Sequence, residues 1–265
     1  MYDASTYKCE HDTCRAAIGV ILLPEWGIFK LNAKHVTVAV VFLNQTHVMK
    51  YPVAGFLLII AISAVAQKSQ SYDLYKTAGS KGLRIYNRDL SLIKETDYHG
   101  IRLSKAYGEG IAWLKDVEFS QGTIEFDVRG EDVRQHSFVG IAFHGVNDST
   151  FDAVYLRPFQ FREKDETLRS HGIQYISLPE FTWRFLRGKF PDRYEHAVDP
   201  APDPNAWVHI RVEIKGTTIR TYVNRNPQPS LVVEKLTPVQ TGSIGFYVAD
   251  TSGGDFANLV ITPPE

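Results

Sequence analysis

Seven polar and aromatic side chains between positions 144 and 183 are spaced so that they can act together: His144, Asp152, Tyr155, Arg157, His171, Gln174 and Trp183. His144 closes the apolar run 138–144. Tyr155 and Arg157 are two residues apart, so on a strand they share a face. His171 and Gln174 belong to the next extended stretch. If the three segments pair as neighbours, these side chains form one polar floor, with Trp183 beside it. Sugars are recognised by planar hydrogen-bonding groups that meet their hydroxyls and by a flat ring that covers their apolar face. Arg157, Gln174, Asp152 and His144 supply the first kind; Tyr155 and Trp183 supply the second. Cleaving a glycosidic bond would need an acid and a base within reach of one oxygen. Asp152 and His144 are the catalytic pair left by elimination, and Tyr155, Arg157, His171, Gln174 and Trp183 are the substrate-binding set. The plain alternative is an exposed sheet face of cross-strand pairs.

The elements that must position these groups read as strands almost throughout. Thr123-Ile124-Glu125-Phe126-Asp127-Val128-Arg129 alternates apolar and charged residues, and 207–215 does the same over nine positions. Gly216-Thr217 then turns the chain into another alternating run at 218–223. Further strands are expected at 98–104, 109–114, 137–144, 151–158, 172–177, 230–236, 243–249 and 255–261. Asn147-Asp148, Asn226-Pro227 and Gly253-Gly254-Asp255 mark turns. One helical insert is expected over 179–187, followed by a proline-rich loop at 199–205. No internal repeat or heptad is visible. Many short strands with almost no helix predict an all-β chain, a two-sheet antiparallel β-sandwich with one short helical insert.

The order of several segments carries a resemblance. Gly122-Thr123-Ile124-Glu125-Phe126-Asp127 is followed by Phe138-Val139-Gly140-Ile141-Ala142-Phe143-His144. Trp207-Val208-His209-Ile210-Arg211-Val212-Glu213 comes later, then Thr241-Gly242-Ser243-Ile244-Gly245-Phe246-Tyr247 and Gly254-Asp255-Phe256-Ala257-Asn258-Leu259. Over about 110–261 this resembles the concanavalin A-like lectin/glucanase superfamily, and most of all its laminin-G-like and 3-keto-disaccharide hydrolase domains. The resemblance implies a jelly roll that binds or processes carbohydrate. That fold also hosts hydrolases and interaction modules without a sugar site, so it does not choose among them.

Other motifs are weaker. Family 16 glycoside hydrolases of this superfamily carry paired glutamates that Glu125 and Glu131 approximate. Six extended residues separate the two by about 20 Å, whereas catalytic carboxylate pairs stand about 5–9.5 Å apart. Trp207, His209, Arg211, Glu213 and Lys215 alternate on a face that reads as solvated. Laminin-G-like modules often bind calcium through loop carboxylates. Here the loops offer only Asp148, Asp250 and Asp255, so calcium is admitted by the resemblance but no metal ligands or other cofactor are assigned.

The chain has 265 residues and a formal net charge of −1, which leaves no electrostatic footprint for nucleic acid. Met49-Lys50 opens a basic start. An apolar stretch follows, and then Ala64-Val65-Ala66, which fits a signal peptide at 49–66 with cleavage before Gln67. The apolar run is shorter than the ~20 residues that span a bilayer, so no membrane anchor is expected. Residues 1–48 read as an upstream extension, and their Cys9 and Cys14 complete no metal site. The expected working part is 67–265: exported to a periplasmic or extracellular space, monomeric and held together by its core.

Overall fold

The computed structural model describes residues 68–264, together with the backbone of a short antiparallel ladder between Asn32–Ala33 and Val36–Thr37. The chain divides into two compact units, Met1–Val65 and Ala66–Glu265. The signal-peptide reading at 49–66 and the cysteines fall outside the described residues.

The second unit is a sandwich of two antiparallel sheets. In chain order its elements are β1 (Gln70–Tyr72), α1 (Leu74–Gly79), β2 (Leu83–Tyr86), β3 (Leu90–Lys94), β4 (His99–Leu103), β5 (Gly110–Phe119), β6 (Gly122–Arg129), β7 (Val139–Asn147) and β8 (Thr150–Leu156). They continue with α2 (Glu166–Arg169), β9 (Ile173–Leu178), α3 (Trp183–Lys189), β10 (Glu195–His196), β11 (Val208–Lys215), β12 (Thr218–Val223), β13 (Leu231–Glu234), β14 (Gly242–Val248) and β15 (Gly254–Thr262). One sheet has seven strands in the order β10-β9-β8-β7-β14-β5-β2. The other has eight, β13-β12-β11-β6-β15-β4-β3, with β1 also paired to β15. This is the jelly-roll architecture that the resemblance implies.

Alternation explains the eight-stranded sheet. Every second residue of β6 and β11 is buried, and the others are partly or, at Lys215, fully exposed. Phe126 of β6 and Phe256 of β15 meet Phe246 of β14 across the interior, with ring centroids 5.9 Å and 4.8 Å from it. Each such ring removes apolar surface worth about 1.5–3 kcal/mol from water. Because Phe246 points inward, its neighbour Tyr247 must point away from the sandwich interior. The seven-stranded sheet differs from its partner in that β7, β8 and β9 are buried on both faces.

Several short elements were not expected. β1, β2, β3 and β10 are brief strands, and α1 and α2 are additional helices. The expected helix at 179–187 begins later, at Trp183, because Ser177 and Phe181 exchange backbone hydrogen bonds that hold the intervening residues in a tight turn. Thr182 then caps the helix by accepting from the Phe185 N–H at 3.3 Å.

Candidate functional site

A cleft of about 550 Å³ opens on the outer face of the seven-stranded sheet. Strand register builds its floor. Tyr247 of β14, Gly140 of β7, Tyr155 of β8, Gln174 of β9 and Glu195 of β10 lie in one row across five adjacent strands. Between the two tyrosines stands Gly140, and their rings approach to 5.8 Å over it. Phe138, Phe159, Ile176 and Leu178 add apolar wall.

The polar groups of the floor form one network. The Arg157 guanidinium donates to the Tyr155 hydroxyl at 2.8 Å, to the His171 carbonyl at 2.8 Å and to the Gln174 side-chain oxygen. Tyr155 donates to the same Gln174 oxygen at 3.0 Å. Glu195 accepts from Arg187 at 2.7 and 2.6 Å, with Arg157 at 3.4 Å and His171 at 3.5 Å. Burial pushes the Tyr155 hydroxyl up to about 12, so it stays protonated and can donate. Burial also lowers His171, which favours its neutral form despite Glu195 nearby.

Helix α3 supplies the rim. Trp183 and Arg187 are one turn apart and so share a helix face. Trp183 is 41% exposed, an open indole at the mouth of the cleft. At the β5–β14 side lie Glu109 and Asp250. Glu109 accepts a hydrogen bond from the Tyr247 hydroxyl, and Asp250 accepts one from the Gly108 N–H at 2.7 Å. Burial raises the Glu109 carboxyl above the usual range, with Asp250 adding to the rise while Tyr247 and Arg88 oppose it.

No family model and no curated protein matches the chain. Solved structures do resemble it. The carbohydrate-binding module CBM66 from Bacillus subtilis aligns over 68% of this chain and 96% of its own, at 13% identity and a TM-score of 0.49. The VIP36 exoplasmic/lumenal domain in its Ca²⁺/Man2-bound form covers 73% and 87%, at 13% identity and a TM-score of 0.49. A native glycosidic hydrolase covers 74% and 90%, at 12% identity and a TM-score of 0.41. The fold assignment rests on the strand order of this chain.

Of the seven residues singled out in the sequence, the structure brings five together. Tyr155, Arg157, His171 and Trp183 line the cleft, and Gln174 lies directly beneath, bonded to two of them. His144 and Asp152 do not join them, which corrects the single-floor expectation. Asp152 precedes Tyr155 by an odd number of residues, so it faces the sandwich interior. There it holds the Tyr175 hydroxyl at 2.7 Å and His144 Nδ1 at 3.1 Å. His144 sits in a β-bulge at φ 52° and also meets the Ser120 carbonyl at 2.8 Å. Both side chains are 2% exposed or less and line no part of the cleft.

The remaining candidates have local partners. Asp148 binds Arg84 and Trp113, Asp255 binds Arg102 and Arg129, and Asp250 caps Gly108, three separate places. No group of three or more metal-ligating side chains gathers among the described residues. Glu131 pairs with Lys105. On the outer face of the eight-stranded sheet, Trp207 stacks on Tyr98 at 4.3 Å, His209 meets Asp127 at 2.8 Å and Arg211 lies over Tyr222 at 3.9 Å. Glu109, Arg184, Arg187 and Tyr247 of the cleft, and Glu195 in the row beneath it, are among the residues that sequence reasoning missed, and Asp250 was read only as a loop carboxylate.

Proposed function

We propose that this protein binds carbohydrate in the cleft between α3 and the outer face of the seven-stranded sheet. The observation that carries the reading is the pairing of an open indole, Trp183, with a rigid polar floor of Arg157, Tyr155 and Gln174 whose side chains fix one another. A sugar ring needs both: a flat surface for its C–H face and oriented donors and acceptors for its hydroxyls. Because the floor is already ordered, little conformational entropy is lost on binding. A glycan array followed by titration calorimetry tests the reading. Trp183→Ala should weaken the best ligand by about tenfold, the factor that roughly 1.4 kcal/mol represents. Unchanged affinity in this variant would remove the cleft from consideration.

A second reading, hydrolysis, is favoured by one arrangement. Glu109, with a raised pKa, and Asp250 face the same cleft. A carboxyl whose pKa is raised by burial, with a second carboxyl group lining the same cleft, is the kind of pair that glycosidic cleavage uses. Cleavage would require protonated Glu109 and would therefore fall as pH rises through its raised pKa. Glu109→Gln should abolish new reducing ends, measured by mass spectrometry, while binding persists. Cleavage that survives the substitution would reject this role.

A further inference from the structure

Charge is distributed unevenly across the cleft. Arg157, Arg184 and Arg187 stand on the side built by β8, β9 and α3. The carboxylate that neutralises this side is Glu195, gripped by Arg187 at 2.6 Å and faced by Arg157 at 3.4 Å. Arg184 has no carboxylate partner among the described residues. Its guanidinium lies 5.3 Å from the Trp183 ring, which Arg187 approaches at 5.1 Å. Three guanidinium groups against one carboxylate leave an excess of two positive charges, because arginine does not deprotonate in proteins. At the rim, Arg134 adds a fourth cation, 3.6 Å from Glu163. Glu109 and Asp250 line the β5–β14 side of the cleft, away from α3.

A second observation concerns the same cleft. Gln160 lines the cleft and is 7% exposed, yet its side-chain oxygen has no hydrogen-bond partner among the described residues. A buried polar atom left in that state marks where a partner belongs. A sugar hydroxyl is the donor such an acceptor takes.

We propose that the cleft takes an acidic glycan, with a sugar carboxylate or sulfate seated against Arg184 on the Trp183 side. The proposal rests on the carbohydrate reading and names the ligand class within it. A guanidinium presents two parallel N–H groups that match the oxygens of either anion, and the neighbouring indole holds the sugar that carries them. A neutral sugar would leave the excess charge uncompensated. A free inorganic anion would use neither the indole nor the Gln160 oxygen.

Calorimetry on the whole chain tests this with matched pairs. One pair is tetragalacturonate and its methyl ester; the other is a galactose tetramer with and without sulfate groups. At least one acidic member should bind about tenfold more tightly than its neutral counterpart, as expected for a charge-assisted hydrogen bond. That preference should shrink with added salt, because the rim is solvent-accessible. Arg184→Gln should erase most of the preference with an unchanged melting temperature, whereas Lys94→Gln, a charge removed on the other sheet, should keep it. Equal binding of both members in each pair overturns the proposal and leaves the carbohydrate reading standing. A preference that survives Arg184→Gln overturns the assignment to the Trp183 side. Failure to bind any sugar, on the array or in titration, overturns the proposal and the carbohydrate reading together.

Discussion

Two arginines and a histidine share the carboxylate of Glu195, which is 3% exposed. Removing that charge would leave two guanidinium groups facing each other with their common partner neutralised. Glu195→Gln should therefore cost about 3–5 kcal/mol, the usual consequence of breaking a buried ion pair. Asp203→Asn breaks an exposed pair with Arg162 at 3.4 Å and should cost under about 1 kcal/mol. Urea denaturation of the two variants measures both; a mild effect at Glu195 would mean that the network is not what holds the floor. At this scale the sequence was partly legible. Tyr155 and Arg157 declared a shared face through their spacing. Glu195 did not declare itself, because it arrives on a two-residue strand at the sheet edge after a helix and a loop. Glu109 was equally silent, lying just outside a strand end, and Asp250, beyond the end of β14, was legible only as a loop carboxylate.

Strands differ in how much of their orientation can be read. β6 and β11 bury one face, so their charges identify the outer side without ambiguity. β8 buries six consecutive residues, and an unbroken buried run carries no mark of which face is which. The burial run hides which face is the cleft, but the odd spacing of Asp152 and Tyr155 already put them on opposite faces, and grouping them passed over that parity. The same double burial makes small residues necessary where strands and rings crowd. A Cβ on Gly140 would come within 2.1 Å of the Val154 carbonyl oxygen and 2.6 Å of the Tyr155 Cα. Backbone cannot yield as a flexible side chain can, so Gly140→Ala should cost about 1–3 kcal/mol or more and displace Tyr155 from the floor. Gly188 in α3 has nothing within 4 Å of its would-be Cβ, so Gly188→Ala should be neutral or stabilising by up to about 1 kcal/mol. Thermal melts paired with glycan titration check both. If Gly140→Ala melts and binds as the parent does, the crowding argument fails.

For the molecule as a whole, two sheets of seven and eight strands enclose a core without a disulfide, since both cysteines precede Met49. Phe126, Phe246 and Phe256 join the sheets from within, and about 200 residues suffice to bury such a core unaided. The phenylalanine cluster and the Glu195 network lie among the described residues 68–264. A chain of 67–265 carries these contacts and should unfold cooperatively and bind the same glycan as the full chain. This is also the species that export and cleavage before Gln67 would release. Production from Met49 in a secreting host, followed by intact-mass measurement, should find that species in the medium. A truncated chain that melts well below the full one would mean that residues before 67 contribute to the fold. A secreted mass that retains 49–66 would reject the cleavage site.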